Sequence, residues 1–223
     1  MKLSVIMPVY NEAQTIAQAI DRVRNVKIEK EIIVVDDFSI DGTREILSDI
    51  PDIILVLHKQ NMGKGFAIRT ALKHVTGDIV VIQDADLEYN PEDFFSLISP
   101  IEKGEAEVVY GSRFLKARPV MRRANYIANR MLATATNILY SARITDEATC
   151  YKAFRAHLLK SIPLTCKRFE FCPEVTAKVL RSGHKIAEVP VRYEARTCEQ
   201  GKKIGWWDGV VAFWTLLKFR LVK

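Results

Sequence analysis

The stretch VVIQDADLEYNPED occupies Val80 to Asp93. Its apolar, β-branched opening has no polar alternation, the pattern of a strand buried on both faces in a parallel sheet. The chain then turns at once to Asp84, Asp86, Glu88, Glu92 and Asp93. Carboxylates spaced i, i+2 at a strand tip suit a hard divalent cation, since Mg2+ takes oxygen ligands from one or two carboxylates plus substrate phosphates, and Mn2+ shares the preference. The competing reading is a solvated acidic loop, and Glu88, Glu92 and Asp93 are assigned to it as surface or helix-start charges.

Outward from this stretch the same alternation repeats. Leu3–Val9, Ile32–Asp36, Ile53–His58, Ile79–Gln83 and Val108–Gly111 read as strands. Ala13–Val26, Gly42–Leu47, Gly63–Val75 and Pro91–Ile101 carry helical periodicity between them, with Asp41 and Asn90 as N-caps and Pro91 in a first turn. Repeated βαβ units predict an open, mostly parallel α/β sheet flanked by helices, in which ligands bind beyond the carboxyl ends of the strands. Further on, Met121–Ala142 and Cys172–Arg181 read as helices and His184–Val191 as a strand. From Gly205 onward, Trp207, Val210, Val211, Trp214 and Leu217 share one helical face. Without an internal repeat or low-complexity linker the expectation is one domain over 1–204, followed by an amphipathic helix over 205–223.

The 223 residues suffice to bury a sizeable core, and 48% apolar with 27% charged residues is a globular composition. A net charge of +6 favours an anionic partner. From Arg192 to Lys223 there are seven Lys or Arg against three acids, while acids cluster between Asp36 and Asp93. Cys150, Cys166, Cys172 and Cys198 form no C-x-x-C pair, which argues against zinc and a disulfide framework, so reduced thiols in a cytoplasmic protein are expected. No signal peptide is read at the N-terminus. The longest apolar run, Gly209–Leu217, falls short of the roughly 20 residues that span a bilayer.

Taken in order, the strand tips bring together Pro8, Tyr10, Asn11 and Glu12, then Asp36 to Thr43, then Asn61-Met62-Gly63-Lys64-Gly65, then Asp84 and Asp86. The motifs SVIMPVYNE (Ser4–Glu12), VVDDFSIDGT (Val34–Thr43), NMGKGFA (Asn61–Ala67), DADL (Asp84–Leu87) and GSR (Gly111–Arg113) resemble the family 2 glycosyltransferases of GT-A fold. TDEATCYKAFR (Thr145–Arg155), FCPEVTAK (Phe171–Lys178) and YEARTCEQGKKI (Tyr193–Ile204) look like the dolichyl-phosphate mannosyltransferase and polyprenyl-phosphate glycosyltransferase branch.

That resemblance implies that Pro8, Tyr10 and Glu12 line the nucleotide pocket and that Asp37 reads the base. It places Asp84 near the ribose and sugar, makes Asp86 the main ligand of Mg2+ or Mn2+, and sets Lys64 by the donor. Arg113 and the helix-opening Arg122 and Arg123 would lie by an acceptor phosphate, and Arg196 with Lys202 and Lys203 would close over the donor diphosphate. Asp146 is expected to orient an arginine, and Tyr151 also matches. Phe38 departs from the pattern, standing where a glycine is usual, so the loop is expected to turn differently there.

The implied reaction is inverting transfer of mannose or glucose, from GDP-mannose or UDP-glucose, to a polyprenyl phosphate at the cytoplasmic membrane face. A phosphomonoester with a charge of about −1.5 to −2 is already a nucleophile and needs no general base. A sugar-hydroxyl acceptor would need one, for which Glu174 is the candidate; a helix-start charge is its other reading. A sugar-1-phosphate nucleotidyltransferase would show a glycine-rich phosphate loop in place of Pro8–Glu12. A nucleic-acid module would leave the strand-tip acids unexplained, so nucleic acid is not an expected partner. Trp206, Trp207, Phe213 and Trp214 read either as core or, with Lys218, Arg220 and Lys223, as a peripheral membrane contact. Relatives carry transmembrane helices, so a separate transmembrane partner is a further expectation.

Overall fold

The structure, a computed structural model, describes residues 1–116, 119, 121–196 and 205–222, the Trp206 side chain apart. Seven strands form one sheet: β1 (Leu3–Val9), β2 (Lys30–Asp36), β3 (Ile54–Leu57), β4 (Ile79–Ile82), β5 (Val108–Ser112), β6 (Lys152–Arg155) and β7 (Ile186–Pro190). Their order is β3-β2-β1-β4-β6-β5-β7. β1 pairs in parallel with both β2 and β4, and β5 with β7, whereas β6 runs antiparallel between β4 and β5. β1, β4 and β5 are buried throughout, as their unbroken apolar runs require.

Among the described residues eight helices flank the sheet: α1 (Ile16–Asn25), α2 (Thr43–Ser48), α3 (Lys64–Ala71), α4 (Phe94–Glu102), α5 (Arg123–Tyr140), α6 (Ala156–Ser161), α7 (Phe171–Arg181) and α8 (Trp206–Leu221). A 3-10 turn at Pro91–Asp93 leads into α4, and the Asn90 side chain accepts from Glu92 N, as its cap role requires. At α2 the cap is Gly42, at φ 94°, not Asp41. Asp41 works from one residue earlier, accepting from Thr43 N at 3.1 Å.

Two elements are missing from the sequence reading, α6 and β6, and β6 is the one inside the sheet. Its KAFR opens with Lys152, a residue type seldom fully buried, yet here it has no exposure. Lys152 Nζ donates to the Glu147 carbonyl at 2.6 Å and lies 3.7 Å from the Tyr110 ring centroid. These contacts replace the water a buried ammonium gives up. The C-terminal stripe also differs from its core reading. α8 packs on α5 and α7 through Ala212, Thr215 and Leu216, while Trp207, Val210, Val211, Phe213 and Trp214 are exposed. With a seven-stranded order that steps from β1 outward to β2 on one side and to β4 on the other, the switch point lies between β1 and β4. A crevice is expected beyond their carboxyl ends.

Candidate active site

The tips of β1 and β2 are stapled to each other. Asn11 N donates to Ser39 Oγ at 2.8 Å, Ile40 N donates to Asn11 Oδ1 at 2.9 Å, and Glu12 N donates to Thr43 Oγ1 at 2.9 Å. Pro8 is buried within β1, opposite Val35, and Tyr10 emerges half-buried at its end. Asp37 Oδ1 accepts from Met62 N and meets His58 Nδ1, both at 2.8 Å, while Oδ2 accepts from Gly63 N at 2.6 Å. A carboxylate has about four acceptor positions, so about one remains for a ligand. Phe38 takes φ 69°, the left-handed conformation a glycine would supply, at a strain of about 1–2 kcal/mol. Its half-exposed ring lies 5.2 Å from the Arg44 guanidinium, which also bonds Asp36 Oδ1 at 2.6 Å.

Lys64 is presented by a glycine that no other residue could replace. Gly63 has φ 90° and ψ 160°, a region essentially restricted to glycine, and a Cβ there would lie 2.4 Å from the Lys167 carbonyl oxygen. From the first position of α3, Lys64 Nζ reaches Asp84 Oδ1 at 2.5 Å and lies 3.5 Å from Cys150 Sγ. Burial opposes both charges, but each outweighs it for the other: the Asp84 carboxyl is held below its ordinary value and the Lys64 ammonium above. Asp86 Oδ2 lies 3.4 Å from Arg196, whose guanidinium is forked onto Glu12 with contacts of 3.0 and 3.1 Å. Lys64, Asp84, Asp86, Arg196 and Glu12 therefore set alternating charges side by side beyond the tips of β1 and β4.

Asp84 and Asp86 each keep a fifth of their side-chain surface exposed. Among the described residues no group of three or more His, Cys, Asp or Glu forms a ready metal cage. A pair of open carboxylates fits a hard divalent ion that takes its other ligands from phosphate and water. Lys64 and Arg196 supply the positive charge those carboxylates face in this structure.

The second cationic group is built differently. Arg113, just beyond β5, donates through Nε and Nη2 to both oxygens of Asp146 at 2.7 Å, and its backbone N donates to the same carboxylate at 3.0 Å. The pair is buried, with side-chain exposures of 8% and 0%. The guanidinium lies 4.9 Å from the Tyr193 ring centroid. Arg122 caps α5 and Arg123 opens it, both exposed. Cations at a helix N-terminus oppose its dipole, an arrangement an incoming anion relieves. Lys202 and Lys203 lie outside the described residues.

Three residues take roles the sequence did not reveal. Glu174 Oε1 accepts from Thr165 N at 2.7 Å, Thr165 Oγ1 at 2.8 Å and Lys178 Nζ at 2.5 Å, so the carboxylate anchors the loop before α7. Burial alone would raise its pKa, and these donors outweigh burial to hold it below the ordinary range. Asp93, expected as a surface or helix-start charge, is buried against Arg192, at 2.7 Å to its backbone N and 2.8 Å to its guanidinium. Glu88, assigned to the same solvated loop, accepts from Arg196 N at 2.8 Å and Tyr193 Oη at 2.9 Å. Glu92 is exposed as expected. Tyr151 is buried, donating to Gln83 Oε1 at 2.6 Å and stacking on Tyr89 at 4.4 Å.

Residues 4–162 match the sequence model of glycosyl transferase family 2. The chain belongs to glycosyltransferase family 2. It is 31% identical over 194 residues to glycosyltransferase AglJ of Haloferax volcanii, covering 86% of this chain and 63% of that protein. It is 29% identical over 210 residues to an undecaprenyl-phosphate 4-deoxy-4-formamido-L-arabinose transferase of an Enterobacter species, covering 90% and 62%. The third relative, a UDP-N-acetylglucosamine–dolichyl-phosphate N-acetylglucosaminyltransferase of Methanococcus voltae, is 29% identical over 247 residues, covering 98% and 96%. The chain thus spans under two thirds of the length of the first two. Its fold is that of the GT-A glycosyltransferases. It superposes on glucosyl-3-phosphoglycerate synthase from Mycobacterium tuberculosis with a TM-score of 0.74 at 22% identity, covering 100% of this chain and 79% of that one. Mannosyl-3-phosphoglycerate synthase from Rubrobacter xylanophilus gives 0.76 at 17% identity, covering 98% and 72%.

Proposed function

We propose that this glycosyltransferase is an inverting enzyme that moves a hexose, mannose or glucose, from a nucleotide diphosphate sugar to a polyprenyl phosphate at a membrane surface. The observation that carries the reading is the pairing of two differently built cation sets, linked through Tyr193 and Glu88. Lys64 and Arg196 face Asp84, Asp86 and Glu12 on the donor side. Arg113, fixed by Asp146, and the exposed Arg122 and Arg123 serve the acceptor side. Two relatives carry undecaprenyl-phosphate and dolichyl-phosphate in their names, which supports the lipid phosphate as acceptor.

In this reading Asp37 takes a base donor with its remaining acceptor position, while Pro8 and Tyr10 wall the nucleotide. Asp84 and Asp86 would hold Mg2+ or Mn2+, which when bound supplies charge neutralisation for the departing diphosphate. Arg196 and Lys203 move onto that diphosphate. Arg113, Arg122 and Arg123 orient the acceptor phosphate by charge-assisted hydrogen bonds. One phosphate oxygen forms a bond to the anomeric carbon as the bond from that carbon to the diphosphate oxygen breaks on the opposite face. The acceptor arrives as an anion, so no protein base takes a proton. A hydroxyl acceptor would require one, and Glu174 is committed to Thr165 and Lys178.

Trp207, Phe213 and Trp214 of α8 are exposed on the helix that also carries Lys218 and Arg220, and Ile127, Met131 and Ile138 of α5 are exposed too, which supports peripheral contact with the inner membrane face. No helix among the described residues is long and apolar enough to cross a membrane. Residues 1–204 would then catalyse and 205–223 contact lipid, with a separate membrane-spanning partner compatible with this division. The test is transfer from radiolabelled GDP-mannose, UDP-glucose and UDP-N-acetylglucosamine to a short polyprenyl phosphate in detergent with Mn2+. Label in a lipid-extractable product from GDP-mannose or UDP-glucose is expected. Transfer of UDP-N-acetylglucosamine alone would overturn the hexose assignment, and label reaching only hydroxyl acceptors would overturn the phosphate acceptor.

A further inference from the structure

Leu87, between Asp86 and Glu88, adopts φ 63°. A branched side chain in the left-handed region carries about 1–3 kcal/mol of strain, tolerated where the surroundings require that turn. What the turn accomplishes is visible in its two acids. Asp86 faces the guanidinium of Arg196 at 3.4 Å, while Glu88 Oε1 accepts from the backbone N of the same residue at 2.8 Å. One short turn thus grips Arg196 at both ends. The other oxygen of Glu88 accepts from Tyr193 Oη at 2.9 Å, and the Tyr193 ring lies 4.9 Å from the Arg113 guanidinium. The backbone joins in, with Glu194 N donating to the Glu88 carbonyl at 2.9 Å and Tyr89 bridging to Tyr193. Asp93 secures the start of the same segment through Arg192.

We propose that Glu88 is a positioning residue that sets both phosphate-binding arginines at once, holding Arg196 by its backbone and Arg113 through the Tyr193 ring. The inference rests on the reading of Arg196 as donor-side and Arg113 as acceptor-side. Its consequence is that donor and acceptor arms share one carboxylate and are aligned together. Neither oxygen of Glu88 is dispensable, because they serve different donors. Glu88→Gln keeps the shape but loses the charge and one acceptor oxygen, so either its amide N–H confronts Arg196 N or it turns to Tyr193 Oη, reversing that hydrogen bond and turning the hydroxyl proton away.

The experiment is steady-state kinetics on folded, purified Glu88→Gln, varying sugar nucleotide and polyprenyl phosphate separately, beside Arg196→Ala and the double variant. The expected result is a rise of about 10-fold to 100-fold in both KM values, since misplacing a positioned group by about 1 Å costs that order in rate or binding. Arg196→Ala raises the donor KM alone, and the double variant shows no donor loss beyond it. Tyr193→Phe keeps the ring under Arg113 and deletes the hydroxyl, which bonds Glu88 and also reaches Arg113, so it raises the acceptor KM while the donor KM stays at the wild-type value. If Glu88→Gln fails to fold, this variant tests the acceptor arm by itself, and an unchanged acceptor KM would overturn the inference. Wild-type KM values in a Glu88→Gln protein whose melting temperature has dropped would overturn the inference and leave Glu88 a purely structural tie. Donor losses that add in the double variant would overturn it as well. A wild-type donor KM in Arg196→Ala would instead overturn the underlying assignment of Arg196.

Discussion

Replacing Asp146 by Asn tests how Arg113 is held. The carboxylate accepts three bonds from one residue, at 2.7, 2.7 and 3.0 Å, in a place with almost no solvent. Arg113 cannot discharge, since a guanidinium stays protonated at any working pH. Asn keeps one acceptor oxygen and turns an N–H toward a guanidinium N–H, leaving a buried charge uncompensated, which ordinarily costs about 3–5 kcal/mol. Glu147 and Glu188, whose pKa values are raised chiefly by burial and further by the Asp146 charge, gain when that charge is removed. The loss therefore belongs near the lower end, about 3 kcal/mol, or roughly 6–12 °C in Tm for a chain of this size. Thermal unfolding by circular dichroism reads it, with urea unfolding as a check that the slope m is unchanged. A Tm within about 2 °C of wild type would refute the reasoning, because 1 kcal/mol already moves Tm by about that much.

Other outcomes follow from the same geometry. Asp86→Asn should lower turnover about a thousandfold, equivalent to about 4 kcal/mol of lost charge stabilisation, with an unchanged circular dichroism spectrum; wild-type turnover would remove Asp86 from the site. Gly63→Ala combines a φ of 90° with a 2.4 Å approach to the Lys167 carbonyl, so it should destabilise by more than about 2 kcal/mol and impair donor binding; an unchanged Tm in urea-checked unfolding would contradict that. Glu31 is held at about 2 although burial alone would raise it, because Lys2, Ser4 and Thr76 donate to it. A depressed folded-state value means its contribution is present above the ordinary value of 4.5 and is lost as pH falls toward 2. The Tm advantage over Glu31→Gln should hold from neutral pH to about pH 5 and close below it; an advantage that grows in acid would reverse the assigned sign.

Much of this was legible in the chain itself, for physical reasons. β1 was read at its observed limits because seven consecutive positions are buried on both faces and none can be polar for long without a partner. Asp84 and Asp86 were placed beyond β4 and Lys64 after a glycine turn because strand tips and glycine turns announce themselves locally, and Lys64 does meet Asp84. β6 was not found, since its signal depends on a buried lysine satisfied by Glu147 and Tyr110. Glu88 and Asp93 were read as surface or helix-start charges, and Asp93 does stand at the start of α4, but their partners were missed for a related reason: they lie 108 and 99 residues downstream, and no local periodicity records such a pairing. The α8 stripe misled the core reading because Ala212, Thr215 and Leu216 do the packing while Trp207, Phe213 and Trp214 face outward.

The measurement that bears most directly on the donor site is calorimetric titration of the wild-type protein and Asp86→Asn with UDP and GDP, each with and without Mn2+. The account predicts that one of the two nucleotides binds, that Mn2+ strengthens it, and that Asp86→Asn abolishes the metal-dependent part while folding normally. Metal-independent binding of equal strength in both proteins, or no binding of either nucleotide, would contradict it.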